Sequence, residues 1–194
     1  MINHDNYSDS YIRGILNTVK SIAVVGVSPK VVRPSYFVFK YLMERGYRMI
    51  PVNPGLAGGE LLGQRIYATL ADIPEPIDMV DIFRNSDAAL GVVHEALALD
   101  PRPRVIWMQL GVRNDAAATL AENAGMTVVM NRCPKIEYGR LSSEISWLGV
   151  NSRTLSSKRA PLLGKGIQRM SLQRETLSGG QTEATLKAER DGNS

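Results

Sequence analysis

The chain is 194 residues long, 44% hydrophobic and 22% charged, with 23 Lys and Arg against 19 Asp and Glu. That length and composition suit an ordinary globular chain closing one core, and they exclude disordered and fibrous classes. The lone Cys133 excludes an intrachain disulfide and a multi-cysteine zinc site, and two distant histidines, His4 and His94, leave little for a His-rich metal centre or a Ser–His–Asp hydrolase.

In chain order, Tyr11, Ile12, Ile15, Leu16 and Val19 recur at helical spacing behind a cap at Asp9 or Ser10. Residues 22–25, Ile-Ala-Val-Val, form a continuous apolar run that reads as a strand buried on both faces and ending at Gly26. A loop to Pro34 leads into a helix carrying Tyr36, Phe37, Phe39, Leu42 and Met43, which Gly46 stops. Residues 47–52 read as a second strand, and the Gly-rich stretch to Gly63 as a loop. A third strand is expected over 77–83, followed by a helix capped by Asn85 or Ser86 that carries Leu90, Val93, His94 and Leu97. A fourth strand is expected over 104–109, an Ala-rich helix from Asn114 to Gly125, and a fifth strand over 126–130. Strands alternating with helices predict an α/β fold, a Rossmann-like parallel five-stranded sheet with helices on both faces.

The charge is unevenly placed. Eight of the 23 cations and four of the 19 acids lie in 151–194, which leaves fifteen of each in 1–150. The body is neutral, and the excess belongs to a tail without Phe, Tyr or Trp, read as irregular, extended on this body or another subunit, and disordered from about Glu175. Such a tail is a poor argument for a nucleic-acid partner. No run approaches a membrane span, and the start lacks the basic and apolar regions of a signal peptide, so the cytoplasm is the expected compartment.

In open α/β sheets ligands bind beyond the carboxyl ends of the strands. After the first strand come Gly26, Val27, Ser28, Pro29, Lys30, Val31, Val32, Arg33, Pro34 and Ser35. A tight turn at Gly26, hydroxyls at Ser28 and Ser35, cations at Lys30 and Arg33 and the start of a helix are a set of donors for phosphate. The dinucleotide fingerprint does not fit, because Ser28 and Val31 stand where it needs glycines. Asn53 closes the second strand where an NAD site places an acid.

Gly26-Val27-Ser28 with Arg33-Pro34-Ser35, Gly46-Tyr47, Pro51-Val52-Asn53-Pro54, 63–67 (Gly-Gln-Arg-Ile-Tyr), 106–112 (Ile-Trp-Met-Gln-Leu-Gly-Val) and Asn131-Arg132-Cys133-Pro134 follow one another in order. Together they resemble the small bacterial CoA-binding proteins, which are similar to the CoA-binding domain of the succinyl-CoA synthetase α subunit. The resemblance spans about residues 10–141 and implies a Rossmann-like CoA-binding domain over 1–150, with the basic tail, 151–194, outside it. It implies that Gly26, Val27, Ser28, Lys30, Arg33 and Ser35 cradle phosphates of coenzyme A and that Asn53 and Pro54 border the adenosine half. Phe83 and Arg84 would then lie against the nucleotide or the pantetheine arm, and Met108, Gln109 and Gly111 would face the pantetheine. Tyr67 is expected either to stack on the ligand or simply to pack.

The synthetases use a phosphorylated histidine on a following domain, and the tail here has no histidine. The expectation is therefore a non-catalytic protein that binds coenzyme A or acyl-CoA. Two alternatives stay open: a partner-dependent CoA-ligase component, and an NAD(H)-binding regulator. A protein partner or a second copy would meet the chain through the tail. Cys133, between Arg132 and Lys135, is a candidate for thiol exchange with CoA if those cations lower its pKa; a small half-buried cysteine without chemistry is the other reading.

Overall fold

The computed structural model describes residues 2–142. The tail expected over 151–194, and the tail-mediated contacts expected of it, lie outside the described residues. Five parallel strands form one sheet: β1 (Ser21–Val25), β2 (Arg48–Val52), β5 (Met79–Ile82), β6 (Val105–Met108) and β7 (Thr127–Val129), in the order β2-β1-β5-β6-β7. Helices α1 (Asp9–Thr18), α2 (Pro34–Glu44) and α5 (Pro134–Leu141) pack on one face. Helices α3 (Ser86–Leu97) and α4 (Asp115–Asn123) pack on the other. The Rossmann-like parallel sheet read from the sequence is the fold of the protein.

The strand sequences explain the two cores. Successive side chains point to opposite faces, so a strand covered on both must be apolar throughout. Ile22, Val24, Met79 and Trp107 belong to the core beneath α1, α2 and α5, whereas Ala23, Val80, Ile82, Ile106 and Met108 belong to that beneath α3 and α4. Small residues Ala117, Ala118 and Ala121 let α4 lie close to its core. Asn85 and Asn114 cap α3 and α4 by accepting the amides of Ala88 and Ala117.

Two local expectations are corrected, and one helix is added. The cap of α1 is Ser8, whose hydroxyl accepts the Tyr11 amide at 3.2 Å, rather than Asp9 or Ser10. The stretch to Gly63 is not all loop: a short 3₁₀ turn over Pro54–Leu56 precedes a hairpin of β3 (Glu60–Leu61) and β4 (Gln64–Arg65). The added helix, Pro134–Leu141, completes one face.

Both sheet edges are covered. Beside β2, the Tyr67 amide donates to Pro51 and the Tyr67 carbonyl accepts from Asn53. Beside β7, the Tyr7 hydroxyl accepts the Met130 amide at 2.7 Å, and the Tyr11 hydroxyl donates to the Val128 carbonyl at 3.0 Å. Among the described residues no helix is long and apolar enough to cross a membrane.

Candidate functional site

After β1 the chain turns one way to β2, then crosses back to β5 on the other flank of β1, so the connections leaving β1 and β5 run to opposite faces. This reversal opens a crevice at their carboxyl ends. Gly26 sits there at φ +89°, and a Cβ on it would lie 2.8 Å from both the Phe83 carbonyl oxygen and Arg84 Cδ. Only glycine supplies that backbone angle and that close approach without strain.

The turn after Gly26 is held by its own hydrogen bonds. The Gly26 amide donates to Val52, the Ser28 amide to Ser35 Oγ at 3.1 Å, and the Lys30 amide to Ser28 Oγ at 3.3 Å. Ser35 is buried and its hydroxyl braces the turn, whereas other polar groups around it are exposed. Those groups are Lys30, Arg33 and Arg84, none of which has an acid partner among the described residues. By contrast Arg48, Arg104, Arg113 and Arg140 are each paired with a carboxylate.

Asn53 ties the neighbouring loop in. Its Nδ2 donates to the Val27 carbonyl at 2.7 Å while its Oδ1 accepts the Gly55 amide at 3.0 Å. An aspartate could not donate to that carbonyl, which is the physical reason for an amide here. Pro54 is exposed beside it. The Val27 side chain is fully buried, so only its backbone borders the turn.

Beyond Phe83 and Arg84, a cavity of about 620 Å³ opens over the ends of β5 and β6, closed by the start of α2 and of α5. Phe83, Arg84, Gln109 and Cys133, four of the residues expected from the sequence, line it together. Gly111 stands in the turn after β6, where its amide donates to Asn131 Oδ1 at 2.8 Å. Two expected residues do not join them. Met108 is fully buried in the core beneath α3 and α4, because strand alternation aims it away from its neighbour Gln109. Tyr67 lines a separate cavity of about 420 Å³ past the β2 edge, its ring 5.7 Å from the Arg65 guanidinium and packed on the core. His94 is exposed on α3.

Sequence reasoning missed Asp81. It is fully buried in β5, and Gln109 Nε2 donates to both its oxygens, at 3.0 and 2.9 Å. Burial pushes the Asp81 carboxyl up to about 8, against a smaller opposing pull from Gln109. The signal was an acid inside an otherwise apolar strand. Also missed were the apolar Val32, Phe37 and Leu110 at the cavity rim and Lys135, whose Nζ lies 5.8 Å from the Phe37 ring.

Of the two readings of Cys133, its surroundings favour the cysteine without chemistry. It is buried, and desolvation lifts its thiol to about 11; the nearby Asp81 adds to the rise, and Lys135 only partly opposes it. Arg132 is turned instead to the Tyr7 ring, 5.4 Å away, and to Glu137. The flanking cations therefore do not activate the thiol.

The sequence model of a family described as CoA binding domain matches residues 20–139. The chain is 39% identical over 133 residues to the uncharacterized protein YneT of Bacillus subtilis, a match covering 69% of this chain and 96% of that protein. The solved structure of cell-free ID.343 from Thermus thermophilus is 39% identical with a TM-score of 0.66, covering 70% of this chain and 99% of that one. A hypothetical protein from Pyrococcus horikoshii is 38% identical with a TM-score of 0.67, covering 73% of this chain and 97% of that one.

Proposed function

The chain belongs to the CoA binding domain family, and from that premise we propose that it binds coenzyme A across the carboxyl ends of β1, β2, β5 and β6. The observation that carries this reading is the cation set Lys30, Arg33 and Arg84, without an acid partner among the described residues, on the loops at the reversal in strand order. Coenzyme A carries a diphosphate and a 3′-phosphate, and guanidinium groups answer such anions with charge-assisted, often bidentate hydrogen bonds. The hydroxyl of Ser28 adds a donor, while Ser35 and Asn53 hold the turn in place. Asn53 and Pro54 would border the adenosine half, and Phe83, Gln109 and Gly111 the pantetheine arm. The backbone at Gly26 and Val27 allows a diphosphate to come close.

We read the protein as a binder rather than a catalyst. The residues at the strand ends bind and orient, and Cys133 is held in its unreactive protonated form. A CoA-ligase component acting with a second chain would instead show acyl-CoA synthesis when nucleotide and that chain are added. An NAD(H) regulator would bind NAD more tightly than CoA, and Asn53 disfavours it, since both ends of its amide are already engaged.

Calorimetry with CoA, dephospho-CoA and NAD, repeated on Arg33→Ala and Arg84→Ala, tests the proposal. CoA should bind most tightly, and each lost cation should cost on the order of 1.5–3 kcal/mol. Equal affinities for CoA in all three proteins, or preference for NAD, would overturn it.

A further inference from the structure

Five large apolar residues are exposed in the described protein, and three of them, Val32 at 80%, Phe37 at 47% and Leu110 at 46%, stand on the rim of the cavity over β5 and β6. Apolar exposure gathered at one opening marks a binding surface rather than the scatter usual on proteins. Inside, the walls continue apolar through Val38, Val112 and Ile136. The cations, Arg84 and Lys135, line the same cavity, and Lys135 Nζ is drawn over the Phe37 and Tyr41 rings at 5.8 and 5.5 Å.

Besides these cations, one neutral polar side chain interrupts the walls. Gln109 is only 5% exposed, and its Nε2 is committed to Asp81. Among the described residues no hydrogen bond reaches its Oε1, and that oxygen is not one of the sealed, unpartnered atoms, so it opens onto the cavity that the side chain lines. A cavity-facing acceptor of this kind is free to take a ligand N–H. Phe83 and Arg84 link the cavity to the Gly26 turn, since both crowd against Gly26 while lining the cavity.

We infer that this cavity receives the apolar acyl group of a CoA thioester, with Gln109 Oε1 accepting the last amide N–H of the pantetheine arm; this rests on the CoA reading above. The arm crosses from the phosphate-binding turn past Phe83, makes its final polar contact at Gln109, and passes the thioester between walls that are apolar apart from Arg84 and Lys135. The protonated Cys133 thiol behaves there as one more apolar wall group. A cavity of about 620 Å³ leaves room for a chain longer than acetyl.

The full-length protein is titrated with CoA and with acetyl-, butanoyl-, hexanoyl- and octanoyl-CoA. Affinity should rise with chain length by about fourfold per added methylene until the cavity is filled. In the double variant Phe37→Asp/Leu110→Asp, both exposed positions, the ratio of octanoyl-CoA to CoA affinity should fall towards one. Gln109→Leu should weaken every member of the series that carries the arm but leave binding of adenosine 3′,5′-bisphosphate, which lacks it, at its original strength. A flat series on a protein that binds CoA overturns this inference alone and means that another occupant, such as a segment of 143–194 or a second copy, fills the cavity. A rising series that persists in the double variant also overturns it, because the chain then binds elsewhere. No binding of CoA at all overturns both this inference and the reading on which it rests.

Discussion

Gln109 donates its side-chain amide to both carboxylate oxygens of Asp81, at 3.0 and 2.9 Å, in a pair buried under the proposed ligand cavity. Among the described residues Asp81 has no cation beside it, and burial raises its carboxyl to about 8. In an unfolded chain an aspartate titrates near 3.9, so between those values the folded protein keeps a proton that the unfolded chain has released. This group's effect on stability therefore falls as pH rises from about 4 to about 8, and is flat beyond.

Asp81→Asn holds the neutral form at every pH. Urea unfolding across pH 4–9 should show the downward slope in the native protein and its loss in the variant, with the variant the more stable by several kcal/mol at pH 9. An identical slope in both proteins would place its origin in another residue.

Gly26→Ala combines a positive φ with a Cβ driven to 2.8 Å from the Phe83 carbonyl. We expect a loss of about 1–3 kcal/mol in thermal or urea unfolding, together with weaker CoA binding because the turn must shift. Gly14, which has open space where a Cβ would be, is the control, and Gly14→Ala should be neutral or slightly stabilising. Equal stabilities for Gly26→Ala and the native protein would show that the turn yields easily.

At the opposite, amino end of the sheet, Asp78 accepts the amides of Lys20 and Ser21 and pairs with Arg104 at 2.9 Å. Burial alone would raise its carboxyl, but these donors outweigh it and hold it below the usual range. Its contribution is present above about pH 4 and is lost as pH falls through the lowered folded value. Asp78→Asn should cost about 1 kcal/mol at pH 7, and the difference from the native protein should shrink at pH 2. A gap that stays constant with pH would argue against the ionised form.

Cys133 should resist alkylation. With its thiol near 11 and little of it exposed, iodoacetamide at pH 8 should label the folded protein far more slowly than the urea-unfolded chain, as read by mass spectrometry. The rate should keep climbing with pH up to about 10 instead of levelling off. Rapid labelling at pH 7 would restore the thiol-exchange reading.

The alternation of strands and helices was legible because doubly covered strands spell continuous apolar runs, and because Asn85 and Asn114 announce helix starts. Short or context-dependent features were not. Pro134 reads as a breaker yet takes the first position of a helix, where its missing N–H costs nothing. Strands of two residues, 60–61 and 64–65, are too brief for any period to register. Met108 and Gln109 share one place at a strand end in the sequence, but alternation sends one to the core and the other to the cavity. For Cys133 the neighbours in sequence were cations, while the surroundings in space decide its chemistry through burial. The same limit hid Asp81, whose partner lies 28 residues away.

The tyrosines at positions 7 and 11 occupy the outward-facing hydrogen-bonding groups of the last strand in the sheet. An unguarded strand is a template on which other chains add and polymerise. Removing residues 2–11 should thus turn a well-behaved solute into one that assembles with time and concentration, and this short polar lead-in works as a guard against aggregation as much as a source of folding energy.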